Sequence, residues 1–166
     1  MEREQLKITT ETENSLTSCA FTGHRDLEED FSKEKLRFYI EQLILKGVSV
    51  FYNGMAKGFD LVSAEILLSL KKKYKSVKLI ACIPFYGQEK YFTDQEKKKY
   101  AKILKKADEK VLLSETYYKG CLLVRDKYMA ERADCLITYC KKDTGGTAYT
   151  VNCFKKLHPF APIYYV

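Results

Sequence analysis

The stretch Asp143-Thr144-Gly145-Gly146-Thr147-Ala148-Tyr149-Thr150 follows an apolar run, Cys135-Leu136-Ile137-Thr138-Tyr139-Cys140, and leads into a helical segment. It reads as a strand, a glycine turn and a helix N-terminus. Glycines without Cβ let backbone approach a ligand closely, and free N–H groups at the positive end of a helix dipole favour an anion. Thr147 and Thr150 would add hydroxyl donors. The same residues also suit a plain turn, so the rest of the chain decides what the loop is for.

Working outward, strands and helices alternate. Upstream lie a helix over 120–133, a short strand over 110–113, a charged helix over 94–107 and an apolar strand over 77–83 stopped by Pro84. Before them come a helix over 61–73, a strand over 48–52, a helix over 32–46 closed by Gly47, and a first buried strand over 17–22. Downstream, 161–166 ends the chain as a strand. Alternation with nearly continuous apolar strands predicts an α/β, Rossmann-like three-layer sandwich with a mainly parallel sheet. In such sheets ligands bind beyond the carboxyl ends of the strands, where strand order reverses. Four loops with unusual residues follow strands, over 22–26, 53–60, 84–88 and 143–150, and they should converge on one crevice.

At 166 residues and 46% hydrophobic, the chain fits one domain over 16–166, with 1–15 a polar, flexible arm. Its apolar runs are shorter than the ~20 residues a membrane helix needs, and the N-terminus lacks a signal-peptide pattern, so a cytoplasmic protein without membrane contact is expected. Six cysteines lie in apolar runs with no CxxC pair or His cluster, which reads as buried reduced thiols and no metal site. No cofactor is implied. The net charge of +7 comes mainly from lysines on helix faces, a solvated surface with a general attraction for anions and a less favoured role in nucleic-acid binding.

Thr22, Gly23, His24 and Arg25 place a hydroxyl, a glycine, an imidazole and a guanidinium directly after a strand, a set suited to phosphate. In the next loop Gly54 and Gly58 flank Met55, and Asp60 is placed to cap the following helix. Glu65 lies on that helix within an apolar stripe, where a lone carboxylate would need a partner or a route to water. Arg125 poses the same question among Cys121, Leu122, Tyr128 and Met129. An ion pair between Glu65 and Arg125 would satisfy both, and a ligand phosphate would equally satisfy Arg125. Pro84, Phe85 and Gln88 suit stacking on a base and recognition of its edge, or simple packing. No Ser-His-Asp order and no Walker lysine motif occurs.

Taken together, Phe21-Thr22-Gly23-His24-Arg25, Asn53-Gly54-Met55-Ala56-Lys57-Gly58-Phe59-Asp60 with Ala64-Glu65, Ile83-Pro84-Phe85 with Gln88-Glu89, Arg125-Asp126-Lys127-Tyr128-Met129 and Gly145-Gly146-Thr147-Ala148-Tyr149-Thr150 resemble the YpsA-like branch of the SLOG superfamily. The resemblance covers nearly all of 18–166. It implies a Rossmann-like domain with a pocket for a nucleotide or nucleotide derivative at the strand ends, and by analogy a homodimer or higher homo-oligomer. Relatives include the LOG phosphoribohydrolases, which cleave the N-glycosidic bond of nucleoside monophosphates, and the DNA-processing protein DprA.

The LOG enzymes carry a catalytic arginine shortly before a methionine, then a PGGxGTxxE loop. Arg125 and Met129 match the first part and Gly146-Thr147 the glycine-threonine, but Thr150 stands where the glutamate should be, and the proline is missing. Loss of that carboxylate removes the group expected to stabilise an oxocarbenium ion or activate water. Neither Glu65 nor Asp143 is positioned by the sequence to replace it. The leading expectation is a nucleotide-binding sensor or sequestering protein without turnover, with phosphate held by the 145–150 loop and Arg25 or Arg125, and base or ribose contacts from Pro84, Phe85, Gln88 and the 53–60 loop with Gly54, Met55, Gly58 and Asp60. Phosphoribohydrolase activity, with Arg125 and Glu65 as catalytic candidates, is the alternative, and DprA-like nucleic-acid binding the second alternative.

Overall fold

A computed structural model describes residues 15–166; nearly all of the expected arm lies outside the described residues. The elements alternate as expected: β1 (Ser18–Gly23), α1 (Lys33–Leu45), β2 (Val50–Asn53), α2 (Phe59–Lys71), β3 (Lys78–Ile83), α3 (Asp94–Lys106), β4 (Glu109–Leu112), α4 (Cys121–Arg132), β5 (Cys135–Tyr139), α5 (Gly146–Leu157) and β6 (Ile163–Tyr165). The strands form one six-stranded sheet in the order β4-β3-β2-β1-β5-β6, with every pair parallel. The chain lays down four strands in one direction, then crosses β1 to place β5 on its other side. Order therefore reverses between β1 and β5, and a crevice opens above their carboxyl ends.

The pleat sorts the core into two layers. On one face Cys19, Phe21, Phe51, Leu79 and Ile137 meet α1, α2 and α3 through residues such as Leu36, Ile40, Phe59, Leu67 and Ile103. On the other, Ala20, Ile80, Cys82 and Leu136 meet Met129 and Ala130 of α4 and Val151 and Phe154 of α5. Each fully buried large side chain contributes roughly 1.5–3 kcal/mol. The six cysteines are unpaired, four of them buried and Cys140 and Cys153 half-buried.

Local chemistry sets the helix ends. Gly47 takes φ 108° after α1, and the Gly47 and Val48 N–H groups donate to the Ile44 and Leu43 carbonyls, a Schellman closure. Two boundaries differ from the sequence expectation. α2 begins at Phe59 rather than near Leu61, because the Phe59 N–H donates to the His24 carbonyl and its ring packs against β1, so Asp60 sits inside the first turn instead of capping it. β6 is shorter than expected because Pro162 has no N–H to give the ladder. A 3-10 turn over Gln88–Tyr91, not anticipated, follows Gly87 in the left-handed conformation.

Candidate functional site

Above β1 and β5 lies a cavity of about 590 Å³, within the usual range for small-molecule sites. Of the residues singled out in the sequence, it gathers Thr22, Gly23, His24, Arg25, Asp60, Arg125, Gly146 and Thr147. An adjoining hollow of about 630 Å³ takes in Phe85 and Gln88 and shares Arg25, Ala56, Tyr117 and Leu122 with the first. Gly54, Met55, Gly58, Pro84, Gly145 and Thr150 line neither. The Met55 side chain is fully buried in the core, and the Thr150 hydroxyl donates to the Gly146 carbonyl within α5.

The five α-helices of the described residues differ at their N-termini. Ser32 caps α1 and Thr93 caps α3 through side-chain oxygens, and α2 carries Asp60 in its first turn. α4 and α5 start at Gly120 and Gly145, with no side-chain cap and no acidic residue in the first turn. Both of these uncapped ends border the cavity, through Gly120 and Cys121 and through Gly146 and Thr147. Each leaves first-turn N–H groups and the positive end of a dipole for water or an anion.

Charge is concentrated at the cavity floor. Arg125, 5% exposed, donates from Nε to Asp126 Oδ1 at 2.7 Å and from Nη1 to the Gly54 carbonyl. Burial works against its charge, but the Asp126 and Asp60 carboxylates outweigh that and hold its pKa above the ordinary value. Asp60 is equally buried; burial pushes its pKa up to about 7, against the pull of Arg125 and of the Ala56 N–H that donates to Oδ2 at 3.1 Å. Among the described residues, Asp60 Oδ1 has no hydrogen-bond partner.

The Glu65–Arg125 ion pair is not formed. Glu65 lies at the margin of its stripe, 3.8 Å from Lys99 of α3, and Arg125 takes its own neighbour Asp126. Asp143 is exposed in the loop before α5 and does not line the cavity. The carboxylates that do are Asp26 and Glu28, both exposed, and Asp60 and Asp126, both buried; of these only Asp60 was singled out in the sequence, as a helix cap within the 53–60 loop expected to touch the ligand. Asp126 was quoted only as part of a motif, and nothing local announces that its carboxylate turns back onto Arg125.

Other groups fix the rim. The His24 ring accepts the Lys141 N–H at 2.7 Å through Nε2, and desolvation followed by the Lys142 charge lowers its pKa, so the imidazole is neutral near pH 7. Asn53, fully buried, ties the second loop together: its amide donates to the Asp60 carbonyl at 2.8 Å, and its Oδ1 accepts the Met55 N–H at 2.8 Å. That clamp holds Met55 in the left-handed region, with φ 60°. The Gln88 amide donates to the Gly54 carbonyl at 3.3 Å and the Tyr100 hydroxyl at 3.4 Å, and Phe85 packs edge-on to Tyr117 with ring centroids 5.3 Å apart.

Among the described residues, no helix is long and apolar enough to cross a membrane. The all-parallel sheet, its reversal point and the charged cavity above it define a Rossmann-like α/β protein. The chain belongs to the YspA SLOG family (YpsA), whose sequence profile matches residues 19–161. It is 26% identical over 154 residues to a UPF0398 protein of Halalkalibacterium halodurans, covering 91% of this chain and 82% of that one. It is also 29% identical over 109 residues to a UPF0398 protein of Staphylococcus aureus strain JH9, covering 64% of this chain and 58% of that one. Among solved structures, DNA processing protein A from Helicobacter pylori, described for its single-stranded DNA binding mode, superposes with a TM-score of 0.64 at 17% identity over 91% of this chain and 65% of that one. TM1055 superposes with a TM-score of 0.56 at 12% identity over 89% and 72%. These structural likenesses are likenesses of fold.

Proposed function

We propose that the cavity binds a nucleotide-type ligand and that the protein acts in the cytoplasm as a sensor or sink for it. The observation that carries this reading is the pair of helices, α4 and α5, that start at glycine without a side-chain cap or first-turn carboxylate and border the same cavity. A phosphate there meets backbone N–H groups, the exposed Arg25 and the rim Lys142. The sugar then lies toward Asp60, and the base extends into the adjoining hollow beside Phe85 and Tyr117.

The test is a thermal-shift screen against AMP, other mononucleotides, ADP-ribose and its cyclic isomers, with each mixture then run on HPLC. Ligand at a hundredfold excess over Kd adds about 2.7 kcal/mol, a rise of roughly 5–10 °C for this size. A shift with intact ligand is the expected result; no shift across the panel refutes the reading.

Asp60 favours a second reading, a phosphoribohydrolase. A carboxyl with a pKa up to about 7 at the cavity wall can exchange a proton near neutrality, from α2 rather than from the position Thr150 occupies. This reading requires free base to accumulate on HPLC, at a rate that falls about a hundredfold or more in Asp60→Asn while AMP still binds.

A further inference from the structure

On the helix-covered face away from α4 and α5, α2 and α3 enclose a groove of about 500 Å³ that shares no lining residue with the nucleotide cavity. Its walls carry Lys72, Lys98, Lys99, Lys102 and Lys106, and its single acidic member, Glu65, pairs with Lys99 at 3.8 Å. Among the described residues, the other four lysines form no salt bridge.

Lys98, Lys102 and Lys106 recur every fourth residue of α3, which sets them in one stripe about 6 Å apart along the helix axis. Like charges at this spacing oppose helix formation. The helix dipole favours Lys106 in the last turn, but it gives nothing to Lys98 or Lys102 further up. Folding does not account for the stripe, whereas a polyanion lying along it does.

The lining also discriminates among polyanions. Among the described residues, none of the large exposed apolar side chains lies in the groove to wedge into a bilayer, and no aromatic ring lines it on which an unpaired base would stack. A duplex needs neither, because it presents regularly spaced phosphates on a stiff frame. We propose that the α2–α3 groove binds the phosphate backbone of duplex nucleic acid, without reading its base sequence.

The experiment is fluorescence anisotropy of the full chain with a short labelled DNA duplex over a series of NaCl concentrations. The expected log-log slope of affinity against salt is about −3 to −4. The triple variant Lys98→Ala, Lys102→Ala, Lys106→Ala loses about tenfold or more in affinity at low salt and about three units of slope, with its circular dichroism unchanged. A control triple, Lys127→Ala, Lys155→Ala, Lys156→Ala on α4 and α5, stays within about twofold. Equal losses in both triples overturn the proposal, because net charge alone then explains binding. So does competition by saturating AMP, which would put the polyanion in the cavity, or stripe-dependent binding to phosphatidylserine vesicles or to a single strand in preference to the duplex.

Discussion

The 53–60 and 143–150 loops look alike as sequence, each a pair of glycines between a strand and a helix, yet the glycines do opposite things. A Cβ on Gly54 would lie 2.7 Å from the Arg125 guanidinium, and one on Gly58 would lie 2.1 Å from the Arg25 carbonyl oxygen. In the first loop the missing side chains are replaced by protein. Gly145 and Gly146 meet nothing within 4 Å, so the space they leave is open. Gly23 belongs with the first loop, because the Phe59 ring fills its place at 2.3 Å. A glycine loop of the first kind assembles the site; one of the second kind leaves room for what the site holds.

Substitutions can break this contrast. Gly58→Ala is expected to do most damage, since φ 78° and a backbone contact that cannot yield act together. The loss is at least about 4 kcal/mol, read from the urea midpoint, out of the 5–15 kcal/mol a domain usually has. Arg125→Ala comes next, at about 3–5 kcal/mol, because it strands Asp126 and Asp60 as buried carboxylates without their cation.

Asp60→Asn sharpens the comparison through pH. The folded pKa of Asp60 is raised from 3.8 to about 7, so the folded state holds the proton more tightly, and the stability linked to it is complete below about pH 4 and lost as pH rises through 7. Between pH 6 and pH 8 the wild type should lose about 1.4 kcal/mol that the variant keeps, a relative Tm gain of roughly 3–6 °C at the higher pH. Parallel Tm curves for the two proteins would rule out a buried titrating carboxyl. Gly146→Val has the smallest effect on stability, within about 0.5 kcal/mol, while filling the open side of the second loop. It is expected to abolish the AMP-induced thermal shift, and retained affinity would move the phosphate away from α5.

The order of elements was legible because period-2 and period-3.6 patterns are local, and Gly47 marked a helix end by a conformation that few other residues adopt. Strand order was not, since pairing β1 with β5 depends on packing across more than a hundred residues. The same limit governed the site. Asp60 and Glu65 are carboxylates on one helix, and only the position of α3 decides that Glu65 turns to Lys99 while Asp60 stays at the cavity. Whether a glycine faces a ring, a carbonyl or open space likewise depends on neighbours distant in sequence. The resemblance supplied the family and the ordered motifs, but not which of their residues carry ligand and which carry one another.

The seam between β1 and β5 has a consequence for how the chain is made. β1 pairs from Cys19 with Cys135 through Gly23 with Tyr139, and the Asp134 carboxylate accepts the Thr17 and Ser18 N–H groups at 2.9 and 3.1 Å. During synthesis β1 to β4 emerge well before β5 exists, so one side of β1, the apolar middle of the finished sheet, is a temporary open edge. Unpaired edges of this kind invite pairing with other chains. The nascent protein is therefore most exposed to misassembly in the interval before residue 139 leaves the ribosome, and slowing translation across α4 should lower its soluble yield.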